Sequence, residues 1–141
     1  MTPPVLSQLT TSYFYDAAGR RTAVTNALNQ GTGFAYDANG NPTNVVDAPN
    51  PPTGYISEAL NRQTKIIFPD TTGESYGYDG LNRKVASTNQ ANVVTRFGFD
   101  TLGRLTTVTN AFGTSQQLVT RYVYDEVGNM LQQIDGLNHT N

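Results

Sequence analysis

Hydrophobic and polar residues alternate along this chain in short runs, each closed by a polar cluster, and the runs return at a fixed interval. Tyr122-Val-Tyr-Asp-Glu-Val-Gly-Asn129 reads as a strand entering a tight turn. Tyr13-Phe-Tyr-Asp-Ala-Ala-Gly-Arg20, Phe34-Ala-Tyr-Asp-Ala-Asn-Gly-Asn41, Tyr76-Gly-Tyr-Asp-Gly-Leu-Asn-Arg83 and Phe97-Gly-Phe-Asp-Thr-Leu-Gly-Arg104 repeat it. Tyr55-Ile-Ser-Glu-Ala-Leu-Asn-Arg62 is a weaker copy. With the residue before the acid as anchor, the anchors are Tyr15, Tyr36, Ser57, Tyr78, Phe99 and Tyr124, at intervals of 21 residues except for a last interval of 25. Internal repetition of this kind is the first thing a fold must explain. Two positions before each anchor stands an aromatic residue: Tyr13, Phe34, Tyr55, Tyr76, Phe97 and Tyr122. Residues two apart on a strand share a face. Each repeat therefore sets an aromatic pair on one side of a sheet, except where Ser57 replaces the second ring.

The polar cluster has turn chemistry. Asp16, Asp37, Glu58, Asp79, Asp100 and Asp125 open it, and an Asp there accepts backbone N–H bonds from two residues on. Gly19, Gly40, Gly103 and Gly128, with Asn61 and Asn82 in their place, tolerate the positive φ that ends such a turn. A type I turn, a left-handed residue and a bulge are a common hairpin closure. Second strands are predicted over 21–25, 42–46, 63–67, 84–88, 105–109 and 130–134. Each ends in a second polar turn, such as Asn26-Ala-Leu-Asn29, Asp47-Ala-Pro-Asn50, Asn110-Ala-Phe-Gly113 or Asp135-Gly-Leu-Asn138. The fold expected is all-β: an antiparallel meander of about six β-hairpins forming a curved open sheet. The four extra residues of the last interval are expected to lengthen two strands by two each, an even change that leaves every side chain on its own face.

Residues 1–10 are read as an extended lead-in and 11–141 as the repeat array. Pro49-Asn-Pro-Pro52 lacks the donors an inner strand needs and falls in a predicted turn. The third repeat has drifted most. Its Lys65-Ile-Ile-Phe68 is the most apolar run, which suggests burial on both faces. No segment shows 3.6-residue periodicity.

Composition narrows the function. The chain of 141 residues has no cysteine, so disulfides and thiolate metal sites are excluded. The net charge is −2, without the basic surplus that holds phosphates, so nucleic acid is not an expected partner. No run approaches a membrane helix, and the first residues lack signal-peptide character. The 20 Thr and 14 Asn suit strands and turns respectively, and 14 regularly spaced aromatics argue against disorder.

Tyr15-Asp-Ala-Ala-Gly-Arg20, Tyr36-Asp-Ala-Asn-Gly-Asn41 and Tyr124-Asp-Glu-Val-Gly-Asn129, at this spacing, resemble YD repeats, also called RHS repeats, over roughly residues 11–139. The resemblance implies β-hairpins spiralling into a hollow shell, as in bacterial Rhs and other polymorphic toxins, insecticidal toxin complexes and animal teneurins. In the bacterial proteins the shell encloses a C-terminal toxin. Some members carry a self-cleaving aspartyl protease marked by Asp-Pro-x-Gly motifs. This sequence has no Asp-Pro pair, so the protease is not carried over. Such shells contain many more than six repeats, so the chain is expected to be a segment of a longer secreted or surface protein. Its expected partners are further repeats and an enclosed toxin.

The candidate chemistry is weighed against this frame. The six acids would cap turns rather than bind metal or catalyse, since a catalytic pair needs two unlike environments. Arg20, Arg62, Arg83 and Arg104 would pair with acids or lie over rings. The aromatic pairs would pack hairpin on hairpin. The alternative is a carbohydrate-binding surface module with Tyr122 and Tyr124 as sugar platforms. His139 has no second histidine for a triad or zinc site. Asn138-His-Thr140 fits a glycosylation sequon. No catalytic residue, metal or cofactor is assigned.

Overall fold

The computed structural model describes residues 10–137 and 139–140. Most of the lead-in and the sequon asparagine, Asn138, lie outside them. Between Thr72 and Gly73 the chain divides into two compact units. The first contains β1 (Ser12–Tyr15), β2 (Arg21–Thr25), β3 (Gly31–Tyr36), β4 (Pro42–Asp47), β5 (Thr53–Ser57) and β6 (Gln63–Ile67). The second contains β7 (Gly73–Tyr78), β8 (Lys84–Thr88), β9 (Val94–Phe99), β10 (Leu105–Asn110), β11 (Leu118–Tyr124) and β12 (Met130–Ile134). Within each unit every strand pairs antiparallel with its neighbour in the chain. Among the described residues there is no helix. The all-β meander of repeated hairpins is the architecture observed, and Pro49-Asn-Pro-Pro52 falls between β4 and β5.

The hairpins close as their sequence dictates. In the first, the Gly19 amide donates to the Asp16 carbonyl and the Asp16 amide donates to the Arg20 carbonyl. The same two bonds recur from Asp37, Glu58, Asp79, Asp100 and Asp125. The fourth residue is left-handed in all six: Gly19, Gly40, Gly103 and Gly128 at φ 75°, 89°, 82° and 94°, Asn61 at 61° and Asn82 at 65°. Beside each of these turns the ladder slips by one residue. Phe14 pairs with Ala23 but Tyr15 pairs with Arg21, leaving Thr22 as the bulge. Bulges also fall at Thr43, Thr64, Val85, Thr106 and Leu131. The Thr64 and Thr106 hydroxyls donate to the carbonyls of Ile56 and Gly98 across the hairpin, recovering a partner where the ladder is interrupted. A bulge adds twist while keeping the anchor on its face.

Two expectations are corrected. Of the four extra residues, two enlarge the β10–β11 turn to seven residues, and β10 and β11 gain one residue each relative to β8 and β9. Turn residues can be added without disturbing register, and the new pair, Asn110 with Leu118, simply extends the ladder. In the large turn the Gly113 amide donates to the Gln117 side chain, and the Thr114 hydroxyl donates to the Ala111 carbonyl. The run Lys65-Ile-Ile-Phe68 is not buried on both faces. Lys65 is exposed and Ile67 is 36% exposed, while Ile66, opposite Tyr55, and Phe68 are half-buried. Phe68 opens a turn by donating to the Thr72 carbonyl. Burial on both faces needs a second layer, and within its own unit this strand has only sheet neighbours.

None of the described side chains is fully buried. Among the described residues neither unit has a buried core, and each is held by contacts between adjacent strands. That puts weight on the turns. Replacing Gly19 or Gly103 by Val should destabilise the protein by about 1–2 kcal/mol, the cost of an L-residue in left-handed backbone. The cost is conformational, because a Cβ at Gly19 meets nothing within 4 Å and one at Gly103 meets only the end of Arg83 at 3.7 Å. Gly80→Ala, an equally open site without positive φ, should melt like the parent. Urea denaturation of the three variants separates these outcomes.

Candidate functional site

Among the described residues no three acidic, histidine or cysteine side chains converge on a point where a metal could sit. What recurs is a seam between consecutive hairpins, built on the turn carboxylates. Asp16 Oδ1 accepts the amides of Ala18 and Arg20 at 3.0 and 2.9 Å, and Oδ2 accepts Arg20 Nε at 2.7 Å. Asp79 and Asp100 repeat this set with Arg83 and Arg104. Glu58 pairs with Arg62 Nε. In two repeats an asparagine takes the arginine's place, so Asn41 and Asn129 donate through Nδ2 to Asp37 and Asp125. At the five aspartates both carboxylate oxygens are thus used within five residues.

The arginine also reaches forward. Arg20 Nη1 donates to the Asp37 carbonyl at 3.0 Å, and Arg104 Nη1 to the Asp125 carbonyl at 2.7 Å. The guanidinium lies over the next anchor ring: Arg20 over Tyr36 at 5.0 Å, Arg83 over Phe99 at 4.6 Å and Arg104 over Tyr124 at 5.0 Å. The ring answers through its hydroxyl. Tyr36 donates to the Arg21 carbonyl at 2.9 Å and Tyr124 to the Leu105 carbonyl at 2.8 Å. The Arg20 and Arg104 seams therefore add to the turn ion pair a cation over the next hairpin's ring and a hydroxyl-to-backbone bond across the hairpins, and the Arg83 seam, meeting Phe99, has the first two. A second row of cations lies over three of the other aromatics: Arg21 over Phe34 at 4.8 Å, and Lys84 near Tyr76 and Phe97 at 5.3 and 5.8 Å. The Tyr76 hydroxyl donates to Glu74, which pushes its ionisation up to about 12.

Hydrogen bonding holds the turn aspartates ionised. The Arg20 and Arg83 backbone amides are the largest influence lowering Asp16 and Asp79. The Arg104 side chain is the largest for Asp100, and the Asn41 and Asn129 side chains for Asp37 and Asp125.

The structure brings most of the singled-out residues into these seams. Tyr122 is half-buried on β11, two residues from Tyr124. One face of the Tyr124 ring lies under Arg104, and its hydroxyl donates to the Leu105 carbonyl. His139 donates its amide to Asp135 Oδ1 and pairs through Nδ1 with Oδ2, filling the fifth position of another such turn. Sequence reasoning missed three features. The second set of turns uses the same clamp: Asn26 Oδ1 accepts Leu28 and Gln30 amides, and Asn89 Oδ1 accepts those of Ala91 and Val93. The signal was Asn-x-x-Asn at 26–29 and 89–92, with positive φ at Asn29 and Asn92. The bulge threonines stand six residues after each opening acid in four of the six repeats. The third turn residue is often aliphatic and open to solvent, as at Leu60, Leu81, Leu102 and Val127, 65–84% exposed.

The family model described as RHS Repeat matches residues 15–50 and 99–140. No curated protein sequence matches the chain. Among solved structures, the chain is similar to the crystal structure of TcdB2-TccC3 without its hypervariable C-terminal region, at a TM-score of 0.69 and 16% identity over 89% of this chain. It is likewise similar to a Photorhabdus luminescens Tc holotoxin pore carrying a TccC3 mutation, at a TM-score of 0.70 and 17% identity over 89% of this chain. At such identities the likeness is one of fold. The chain spans 7% of the length of either solved chain.

Two outcomes follow from the seam. The lowered folded-state values of Asp16, Asp37, Asp79, Asp100 and Asp125 mean that the unfolded chain takes up protons first, near 3.8. This stabilisation is complete above that value and is lost as pH falls through the folded-state values. The urea midpoint should hold from neutral pH to mildly acidic pH and drop below about pH 4. A midpoint level down to pH 2 would refute the clamp. Separately, Tyr124→Phe should lower stability by about 0.5–1.5 kcal/mol, the worth of one hydrogen bond. Tyr13→Phe, which removes a hydroxyl that donates to no described residue, serves as the control by thermal melting.

Proposed function

The chain belongs to the RHS repeat family, and from that premise we propose that it forms part of the wall of a β-shell that encloses a toxin or other C-terminal cargo. RHS repeat is a structural family, and this reading gives the chain no catalytic step. The observation that carries it is the forward reach of the turn arginines. Arg20 and Arg104 each bind their own aspartate and the backbone of the following turn, so one seam prepares the next. Repeats joined only to neighbours add stability unit by unit, which lets a wall extend without a central core. Residues 11–141 act as one array in this reading, and its partners are further repeats of a longer protein. That protein works outside the producing cell or at its surface, in keeping with solved relatives described as a Tc holotoxin pore and as lacking a hypervariable C-terminal region.

The test begins with the DNA on both sides of these codons. The reading frame should continue into further repeats of this period and then into a dissimilar C-terminal stretch. In the purified full-length product that stretch should resist protease until the repeats are denatured. Digestion of the C-terminal stretch at the same rate in the intact protein would overturn enclosure. A frame closed on both sides would remove the longer wall altogether.

A further inference from the structure

The clamp of each repeat turn uses the backbone of its third residue and not the side chain. The amides of Ala18, Asn39, Leu81, Leu102 and Val127 donate to the opening carboxylate, while their side chains differ. Asn39 is the one asparagine of the sequence followed by glycine. Both residues are exposed, and the Asn39 side-chain amide is hydrogen-bonded to no described residue. A Cβ at Gly40 would meet only Arg20 Nη1, at 4.0 Å. The Gly40 nitrogen can therefore approach Asn39 Cγ once the turn opens. Two Asp-Gly pairs, Asp79-Gly80 and Asp135-Gly136, offer the same ring closure, but their geometry opposes it. Asp79 Oδ1 accepts the Leu81 and Arg83 amides, and Oδ2 accepts Arg83 Nε. Asp135 is held in the same way by Leu137 and His139. Hydrogen bonds from the Arg83 and His139 backbone amides keep both carboxyls ionised, and a carboxylate is a poor electrophile.

We propose that Asn39 is a self-modification site, at which the chain converts its own asparagine to aspartate and isoaspartate. The Gly40 nitrogen bonds to Asn39 Cγ, and the side-chain nitrogen leaves as ammonia, carrying the Gly40 proton. Water then opens the succinimide. Attack at Cγ leaves aspartate, and attack at the backbone carbonyl carbon leaves isoaspartate, with an extra methylene in the main chain. The folded turn slows the step without blocking it. The Gly40 amide donates to the Asp37 carbonyl at 3.1 Å, and that bond must open first. Exposed turns open at low free-energy cost. This turn also joins two seams. Its Asp37 carbonyl accepts Arg20 Nη1 at 3.0 Å from the preceding hairpin, and Asn41 Nδ2 donates to Asn61 Oδ1 at 2.9 Å in the following one. Asp37 Oδ1 meets the Asn39 and Asn41 amides only while the loop keeps its length. The added methylene of isoaspartate breaks that match and loosens both seams, so loss of stability with age is centred on this turn.

Ageing of the full chain in mildly alkaline buffer, followed by peptide mass mapping, tests the site. Asn39 should convert at least tenfold faster than any other asparagine, and labelling by an isoaspartyl methyltransferase should locate isoaspartate there. Asp79 and Asp135 should stay unisomerised. The aged parent should lose urea midpoint, while Asn39→Gln, aged alongside, should keep its own. Val127, 84% exposed, stands before Gly128 in the same clamp, so Val127→Asn should create a second conversion site. A folded chain whose Asn39 stays intact while the urea-unfolded chain converts overturns the proposal. Conversion spread evenly over the asparagines, or a Val127→Asn chain that converts at position 39 alone, does the same. Isoaspartate at position 39 with an unchanged urea midpoint overturns the loosening of the seams.

Discussion

The structure depends on one local arrangement: a carboxylate that satisfies its own turn and positions the arginine linking that turn to the next. Asp16, Asp79 and Asp100 each use Oδ1 for two backbone amides and Oδ2 for the arginine four residues on. The turn needs the first oxygen to form, and the arginine needs the second to be aimed. Without the left-handed fourth residue the chain could not return in time for the fifth to meet the carboxylate. Turn closure, ion pairing and ring coverage are therefore a single event, repeated along the chain.

Within each unit the absence of buried side chains among the described residues gives that event unusual weight. Among the described residues none is buried, so the hydrophobic term comes from half-covered rings rather than from a core. Cations over rings supply coverage that a second layer would give elsewhere. The guanidinium is suited to this because its flat face stacks while its edge still donates to carboxylate and carbonyl. The hydroxyls of Tyr36 and Tyr124 close the seam from the other side. Phe99 lacks that bond and keeps only the stacked arginine.

Drift of the repeat is tolerated where both sides of a seam change together. The second repeat carries Asn41 and the third carries Ser57 and Asn61, and the amides bond each other where a cation and a ring meet elsewhere. The turns behave similarly. Asn26, Asn89 and Asp135 all clamp five-residue loops, with Gln30 and His139 as substitutes at the fifth position. Most of these turns have an oxygen acceptor at the first position and Gly or Asn at the fourth, but the turn opened by Phe68 has neither: Thr71 takes the positive φ and Asp70 accepts the Thr72 amide.

The sequence by itself determined the period, the strands and the turns. These are set within about five residues, by alternation, by the acceptor at Asp16 and its equivalents, and by the positive φ available to glycine and asparagine. The strand spans read from the sequence lie within two residues of those observed. What only tertiary structure decided spans longer separations. Arg20 and Tyr36 are 16 residues apart, and Arg104 and Tyr124 are 20 apart. A sequence shows that a cation and a ring recur, but which ring lies beneath which cation depends on how hairpins register against each other. Exposure of Ile67 belongs to the same class, because burial depends on whether another layer exists. So does the placement of the four extra residues, which the large turn between β10 and β11 shared with the ladder because loop backbone can absorb residues that a strict register cannot.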